Sequence, residues 1–254
     1  MATLPTYFND YLANIRLTTE QVEELKKAHE TLRSLLEADA DLSDSIVATF
    51  LQGSYRRSTA VRPHDSSHAD VDIIVVTDFD KDVVSPSEAL DKFVPFMESH
   101  YKGRYQIQGR SIGIELKTVD LDVVPTAASS LATRDFFTKR DSASNSTIED
   151  FEYELAHSSS SGPKSPLLEN AMFSSLFSKA NQQWKTEPLW IPDMEAQRWD
   201  RTHPLEQIQW TIIKNKECNS FYVNVVKAIK WWYKEKYPDL KQPKSYPLEH
   251  FIHH

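Results

Sequence analysis

The chain has 254 residues, 40% hydrophobic and 26% charged, so it can form a substantial core and is not disordered overall. This length favours one domain with an appended or incomplete second lobe. The formal net charge of −8 argues against a large nucleic-acid footprint, although it leaves room for a local basic patch. The single cysteine excludes an internal disulfide and a multi-cysteine zinc site. With no apolar run as long as a membrane span and no signal-peptide pattern, the sequence predicts a cytoplasmic protein without membrane contact.

Two helices in the first half of the chain have clear start signals. The first covers roughly residues 19–36, where Thr18 and Gln21 have capping-box spacing ahead of an apolar stripe. The second covers residues 85–101, with Ser85 as its cap and a proline at the first helical position. Both helices are predicted to pack an apolar face against a sheet.

The remaining pattern alternates between strands and helices. Residues 43–51 lead into a Gly-Ser turn. Strands are predicted at residues 70–77 and, as two or three segments, 105–124, and further helices at 205–214, 219–237 and from 245 onward. Strand, helix, strand and strand in this order predict a small mixed sheet flanked by helices.

The domain organisation follows from where this pattern weakens. Residues 1–140 are predicted to form the core with its N-terminal helix, and residues 141–187, which include serine-rich stretches, a linker or irregular region. Residues 188–254 are predicted to form a helical lobe that stops within a helical pattern, as in a truncated chain. The fold class is therefore α+β, with a mixed-sheet core and an incomplete C-terminal helical lobe.

The most informative stretch is LQGSYRRSTAVRPHDSSHADVDIIVV, residues 51–76. Asp70 and Asp72 open its strand and share one face, because side chains at i and i+2 of a strand point the same way. Two adjacent carboxylates repel each other unless a cation lies between them, and such hard oxygen ligands suit Mg²⁺. The upstream turn of Gly53 and Ser54 offers backbone N–H groups and a hydroxyl for phosphate oxygens. This stretch suggests phosphoryl transfer with two metal ions.

The aspartate pair alone is explained equally well by a solvent-facing strand, so a third carboxylate matters. Two metal ions need bridging and flanking ligands to hold the attacking and leaving oxygens. Asp120 and Asp122 are both candidates, on the later strand VDLDVVP. Asp122 is preferred because it lies within the apolar strand, where a lone charge needs a partner. Asp120 is expected to be an exposed neighbour or a supporting group.

These motifs together carry a family resemblance. A Gly-Ser turn, then D-x-D on a strand, then an aspartate within a later apolar strand resembles the DNA polymerase β-like nucleotidyltransferases. More closely, the chain resembles the bacterial CD-NTases, relatives of cyclic GMP-AMP synthase (DncV among them) and oligoadenylate synthetase that make second messengers in anti-phage (CBASS) defence. The resemblance is nearest to clade D and covers nearly the whole chain; it rests on NDYLANIR, FLQGSYRRSTAVRP, DVDIIVV, LDVVP, RTHPLEQIQWT, VKAIKWWY and KSYPLEH.

The resemblance implies a role for each matching position. Asp70, Asp72 and Asp122 match the catalytic, metal-binding carboxylates, which hold two Mg²⁺ ions, with Mn²⁺ as an alternative. The nucleotide-binding positions that it implies are Gln52, Gly53, Ser54, Lys230, Ser245 and Tyr246. Among these, the lysine and serines would hold the triphosphate, and the tyrosine ring would stack on the donor base.

Other readings of single residues stay open. Without the resemblance, Lys230 would be read as a solvated helix lysine and Tyr246 as a packing residue. Arg56, Arg57 and Arg62 could equally reach phosphates or pair with nearby carboxylates. Residues 214–254 hold eight lysines against four acidic residues, and this local excess of positive charge fits a wall facing a triphosphate.

Three functions follow as hypotheses. The first is a Mg²⁺-dependent synthase that makes a cyclic trinucleotide from ATP and GTP, two adenylates and one guanylate, with a cyclic dinucleotide as the close alternative. The second is a template-independent transferase acting on RNA or a small molecule, which the negative net charge disfavours for long RNA. The third is a non-catalytic nucleotide-binding module. A regulatory protein partner is compatible with all three, and direct activation by DNA is not expected.

Overall fold

The computed structural model describes residues 4–64, 67–128, 130–141, 188–240 and 245–253. The helices in these ranges are α1 (Leu4–Ile15), α2 (Thr19–Ala38), α3 (Gly53–Arg56), α4 (Pro86–Asp91), α5 (Val94–His100), α6 (Leu131–Asp141), α7 (Pro204–Glu217), α8 (Tyr222–Lys236) and α9 (Ser245–His253). The strands are β1 (Ile46–Gln52), β2 (Ala69–Thr77), β3 (Tyr105–Ile107), β4 (Ile112–Glu115), β5 (Val119–Ala127), β6 (Leu189–Asp193) and β7 (Arg198–Thr202). Within these ranges, no helix combines the length and the hydropathy of a membrane span.

The strands form one mixed sheet in the order β1-β2-β5-β4-β3. The central strands β2 and β5 run parallel, and the other paired strands run antiparallel. The last residue of β5, Ala127, pairs with Trp190 of β6, which in turn pairs with β7. This architecture confirms the predicted α+β fold with a mixed sheet and flanking helices.

Both faces of strand β2 are packed in hydrophobic clusters. Val71, Ile73 and Val75 are fully buried in the same hydrophobic cluster as the apolar stripe of α2. Each such side chain contributes about 1.5–3 kcal/mol on burial. On the opposite face, Ile74 and Val76 enter a second cluster, so the two aspartates lie at the open end of a face that is otherwise apolar.

The predicted helix starts are confirmed at α2 and α4. At α2, the backbone N–H of Gln21 donates to Thr18 Oγ1 at 3.2 Å, and the backbone N–H of Thr18 donates to Gln21 Oε1 at 2.9 Å. Ser85 and Glu88 form the equivalent box at α4. The single helix predicted over residues 85–101 is wrong, because the structure has two. Pro95 lies in the first turn of the second, α5, where its missing N–H costs nothing; inside a continuous helix it would break the hydrogen-bond ladder.

Two further differences from the sequence predictions concern the chain's organisation. Helix α1 was not predicted, since it buries only a narrow stripe around Leu12 and Ile15. Helical structure was predicted from residue 188 onward, but β6 and β7 come first, because their aromatic and β-branched residues pair with each other and with the sheet. The later predicted helices correspond to α7, α8 and α9. The predicted linker lies outside the described residues, except that Asp141 ends α6.

Candidate active site

The parallel pairing of β2 and β5 brings the predicted carboxylates together. Asp70 pairs with Asp120, and Asp72 pairs with Asp122. Paired residues on neighbouring strands, about 4.8 Å apart, point to the same face of a sheet. All four aspartates therefore share one face, at the end of β2 that follows the Gly-Ser turn.

The electrostatics of this face show concentrated negative charge. Burial, followed by repulsion from Asp70 and Asp122, raises the pKa of Asp72 to about 7. Burial and the charge of Asp70 also raise the pKa of Asp122, against the hydrogen bond that Ser111 Oγ donates to it at 3.3 Å. Carboxyls that resist ionisation in this way would be relieved by a bound cation.

Asp120 has a different environment from Asp122. Its carboxylate is 46% exposed and lies 2.9 Å from Nδ1 of His68. It thus combines the exposure and the supporting contact that the sequence suggested for it.

Gly53 makes room for the Asp72 carboxylate. Gln52 ends β1 directly opposite Asp72, and Gly53 follows with a φ of +77°, which favours glycine. A Cβ atom at Gly53 would lie 2.6 Å from Cγ of Asp72 and would collide with its carboxylate. The carbonyl of Ser54 accepts bonds from the backbone N–H groups of residues 59 and 60 at 2.9 and 3.0 Å, which fix the turn. The glycine of this motif therefore serves both the turn and the carboxylate.

Gln52 connects the sheet to the C-terminal helices. Its Nε2 donates to Oε1 of Gln207 on α7 at 2.8 Å. Its Oε1 is buried and has no hydrogen-bond partner among the described residues. This side chain thus lies at the boundary between the sheet and the helices, with an acceptor left over.

Lys230 lies buried between the segment that follows α3 and helix α9 rather than on a solvated helix face. Its Nζ donates to the carbonyl of Thr59 at 3.0 Å and to Glu249 Oε1 at 3.1 Å. Burial lowers its pKa, while Glu249 and, more weakly, Asp70 act in the opposite direction. The lysine is therefore electrostatically linked to the carboxylate face, but it is held by Glu249.

Glu249 is the functional candidate that sequence reasoning missed. Besides Lys230, it accepts bonds from Arg57 Nε at 3.0 Å and from Thr59 Oγ1 at 2.9 Å, and its carbonyl accepts one from the Tyr222 hydroxyl at 2.9 Å. The motif KSYPLEH contained the residue, but a lone glutamate in a helix carries no signal of its distant partners. Arg57, whose role the sequence left open, pairs with this carboxylate.

The two remaining predicted positions lie at the start of α9. The half-buried ring of Tyr246 has the guanidinium carbon of Arg57 5.0 Å from its centroid. Ser245 is the first residue of the helix, and its side chain lies outside the described part of the structure. The tyrosine is thus linked, through Arg57 and Glu249, to Lys230.

The donor set fits a divalent cation. Three carboxylates on one face offer the hard oxygen ligands that Mg²⁺ prefers, and burial followed by the charges of Asp70 and Asp122 raises the pKa of Asp72. In the described ranges, no three acidic, histidine or cysteine side chains lie close enough together, as placed, to hold a metal ion. A carboxylate face beside a Gly-Ser turn, on a mixed sheet with helices packed against it, is the arrangement that the resemblance to nucleotidyltransferases implied.

Comparison with known proteins identifies the family. A model described as the Second Messenger Oligonucleotide or Dinucleotide Synthetase domain matches residues 1–145. The "Cyclic AMP-AMP-GMP synthase" of Enterobacter hormaechei subsp. hoffmannii (strain UCI 50) is 43% identical over 256 residues, covering 98% of this chain and 67% of that protein. The chain belongs to this family of bacterial second-messenger synthetases, the CD-NTases, which are nucleotidyltransferases that generally use divalent metal ions.

Solved structures of CD-NTases share the fold. CdnG of Bradyrhizobium diazoefficiens, solved in complex with GTP, has a TM-score of 0.65 at 13% identity, covering 100% of this chain and 70% of that one. The Vibrio cholerae DncV cyclic AMP-GMP synthase, solved with a linear intermediate, has a TM-score of 0.59 at 14% identity, covering 96% and 70%. At these identities the likeness concerns the fold alone, and it agrees with the polymerase β-like core that the resemblance implied.

Proposed function

We propose that this chain joins ATP and GTP into cyclic AMP-AMP-GMP in a Mg²⁺-dependent reaction. The in-register pairing of β2 with β5 carries the proposal, because it brings Asp70, Asp72 and Asp122 to one face. The relative named cyclic AMP-AMP-GMP synthase supports this choice of product. A place in anti-phage defence, which the resemblance implies, stays a prediction.

Asp70, Asp72 and Asp122 are the proposed ligands of two Mg²⁺ ions, with Mn²⁺ as an alternative. Such ions, when bound, would neutralise charge on the phosphate oxygens and favour the ionised 3′-hydroxyl. Asp122 is also proposed to help activate the attacking 3′-hydroxyl at one of these ions. The carboxylate face is thus assigned the metal ions and the nucleophile.

Groups next to the carboxylate face would bind the nucleotides. The turn of Gly53 and Ser54 is proposed to hold phosphate oxygens next to Asp72, and Gln52, with its unpartnered acceptor, to contact the nucleotide at the same edge. Lys230 supplies positive charge toward the triphosphate from its position beside Glu249. Ser245 and Tyr246 are proposed for the phosphates and the donor base. This division assigns positioning and electrostatics, rather than covalent chemistry, to the protein.

The decisive experiment is incubation of the purified chain with all four nucleoside triphosphates and Mg²⁺, followed by mass spectrometry. We expect a phosphatase-resistant product with the mass of cyclic AMP-AMP-GMP and no consumption of nucleotide by Asp70→Ala/Asp72→Ala. Asp80→Ala/Asp82→Ala, which removes two exposed carboxylates of the same spacing, is the matched control and should remain active.

Other results would identify the competing functions. A cyclic dinucleotide would change the product within the same fold, and a linear product on an added RNA would make the chain a transferase to an acceptor. Nucleotide binding without turnover would make it a binding module. A regulatory protein partner would show itself as turnover that starts only when the partner is added, whereas added DNA should have no effect.

A further inference from the structure

One face of helix α8 carries side chains that have no role in the proposed reaction. Asn224, Lys227 and Trp231 are spaced by three and four residues and therefore share one face of the helix. Lys227 is fully buried, and its Nζ has no hydrogen-bond partner among the described residues. A buried ammonium without a partner is costly to the fold, so this face needs an explanation.

Two more unpartnered nitrogen atoms flank Lys227 along the helix. One turn before it, Arg16 Nη2 donates to Asn224 Oδ1 at 2.9 Å, while Nε of Arg16 is buried and, within the described ranges, bonds to nothing. One turn after it, the ring of His64 stacks on Trp231 with centroids 3.9 Å apart, and its buried Nε2 also finds no described partner. Three nitrogen atoms that can donate hydrogen bonds therefore lie along one face of α8, next to the end of α1 and the segment before β2.

The two charged groups that shift the pKa of Lys227 are both positive. Burial, then the positive charges of Arg16 and Lys230, lower the pKa of Lys227 to about 7. Lys230 in turn interacts with the carboxylate face, because the negative charge of Asp70 partly offsets the lowering of its pKa by burial. Glu249, which neutralises Lys230, also pairs with Arg57. The positive charge of Lys230 therefore couples the cluster to the candidate active site, whereas Arg57 and Glu249 belong to the hydrogen-bond network of Lys230.

The end of α1 is fixed so that Arg16 stays next to α8. Arg62 donates from its backbone N–H to Ile15 O at 2.7 Å and from its side chain to the carbonyls of Arg16 and Ala13 at 3.1 and 3.3 Å. These bonds fix the backbone at the end of α1, and the Arg16 side chain extends from there to Asn224 of α8. The position of Arg16 is thus set by hydrogen bonds rather than by pairing with an anion.

We propose that Arg16, Lys227 and His64 form a binding site for a phosphate-class oxyanion, distinct from the candidate nucleotide site. Lys227 forms the buried floor, and the half-buried Arg16 and His64 form the rim through which the anion enters. Guanidinium and ammonium groups bind phosphate oxygens through charge-assisted hydrogen bonds, and a neutral imidazole donates one more. Arg16 carries one positive charge, and a bound anion would favour the protonated form of Lys227, so the two groups together would match the charge of a phosphate dianion.

The test is a calorimetric titration of the metal-free chain with inorganic phosphate, repeated with AMP to distinguish free phosphate from a nucleotide's phosphate. We expect one saturable site, and at least tenfold weaker binding by Lys227→Met. Lys234→Met, the same change at an exposed position of α8, should bind as the wild type does. Prior addition of a non-hydrolysable ATP analogue with Mg²⁺ should leave the phosphate site available.

A second measurement separates a binding site from a structural role. In anion-free buffer, Lys227→Met should unfold at the same or a higher temperature than the wild type, because it removes an unpaired buried charge. The proposal is overturned if the wild type shows no saturable phosphate binding, if the nucleotide analogue abolishes it, or if Lys227→Met binds as tightly as the wild type. A lowered unfolding temperature of Lys227→Met in anion-free buffer would equally overturn it, since Lys227 would then have a partner within the protein.

Discussion

Lys230 and Glu249 form a buried ion pair, 3.1 Å from Nζ to Oε1, with side chains 5% and 1% exposed. Arg57 shares the same carboxylate, so one anion balances two cations at the edge of the carboxylate face. The pair joins α8 to α9 and keeps Lys230 within electrostatic reach of Asp70. The position of the lysine proposed for the triphosphate therefore depends on a glutamate one helix away.

Replacing Glu249 by glutamine should strongly destabilise the fold. The change leaves two buried cations without their anion, and breaking a buried pair in this way costs about 3–5 kcal/mol. Urea denaturation would measure the loss of unfolding free energy. The control is Glu217→Gln, which removes the 3.9 Å surface pair with Lys214 and should cost at most about 1 kcal/mol. Equal losses of unfolding free energy in the two variants would show that the Glu249 network contributes no more than a surface ion pair.

Gly53→Ala should abolish nucleotide consumption, because the new Cβ displaces the Asp72 carboxylate. The matched control is Gly103→Ala. Gly103 has a similar φ of +72° but no atom within 4 Å of the added Cβ, so its variant carries the backbone strain, about 1–2 kcal/mol, without the collision. We expect Gly103→Ala to remain active and Gly53→Ala to lose at least a hundredfold in ATP turnover. Similar activities would contradict the role given to Gly53.

Asp122→Asn should reduce turnover far more than Asp120→Asn. Both residues lie on β5 two positions apart, but Asp122 pairs with Asp72 and Asp120 is nearly half exposed beside His68. We expect a loss of at least a thousandfold for Asp122→Asn, since the proposal makes it a metal ligand, and a change of a few-fold for Asp120→Asn. Initial rates with saturating Mg²⁺ would measure both. The reverse order would make Asp120 the third carboxylate.

The metal-free protein should lose stability as the pH rises from about 4 to 7. The pKa of Asp72 is about 7 in the folded chain against 3.8 for an ordinary aspartate, so the folded state holds this proton more tightly than the unfolded state does. The contribution of the protonated Asp72 to the unfolding free energy is complete below pH 3.8 and is lost as the pH rises through 7. This loss is at most about 4 kcal/mol. Urea denaturation in EDTA at pH 5 and pH 8 would measure it for the wild type and Asp72→Asn. Parallel pH dependence in the two proteins would exclude Asp72 as the cause.

The sequence predicted local features well and distant pairings poorly. The capping boxes of α2 and α4 were predictable because each depends on residues three positions apart. The shared face of Asp70 and Asp72 follows from strand geometry, but their register with Asp122 depends on which strands pair and in which direction. The Glu249 network was not predictable, because neither a buried lysine nor its distant partner differs locally from a solvated one.

Arg57 and Glu249 are 192 positions apart in the chain, so the wall of the site cannot form until both have been synthesised. A nascent chain that has folded β2, β5 and the Gly-Ser turn already has its carboxylate face, while Arg57 still lacks its anion. Contacts of such long sequence separation form late, because the entropy of closing the loop opposes them. During translation, the Arg57–Glu249–Lys230 network proposed to face the nucleotide would therefore be the last part of the site to assemble. On that proposal, an unfinished polypeptide would remain inactive.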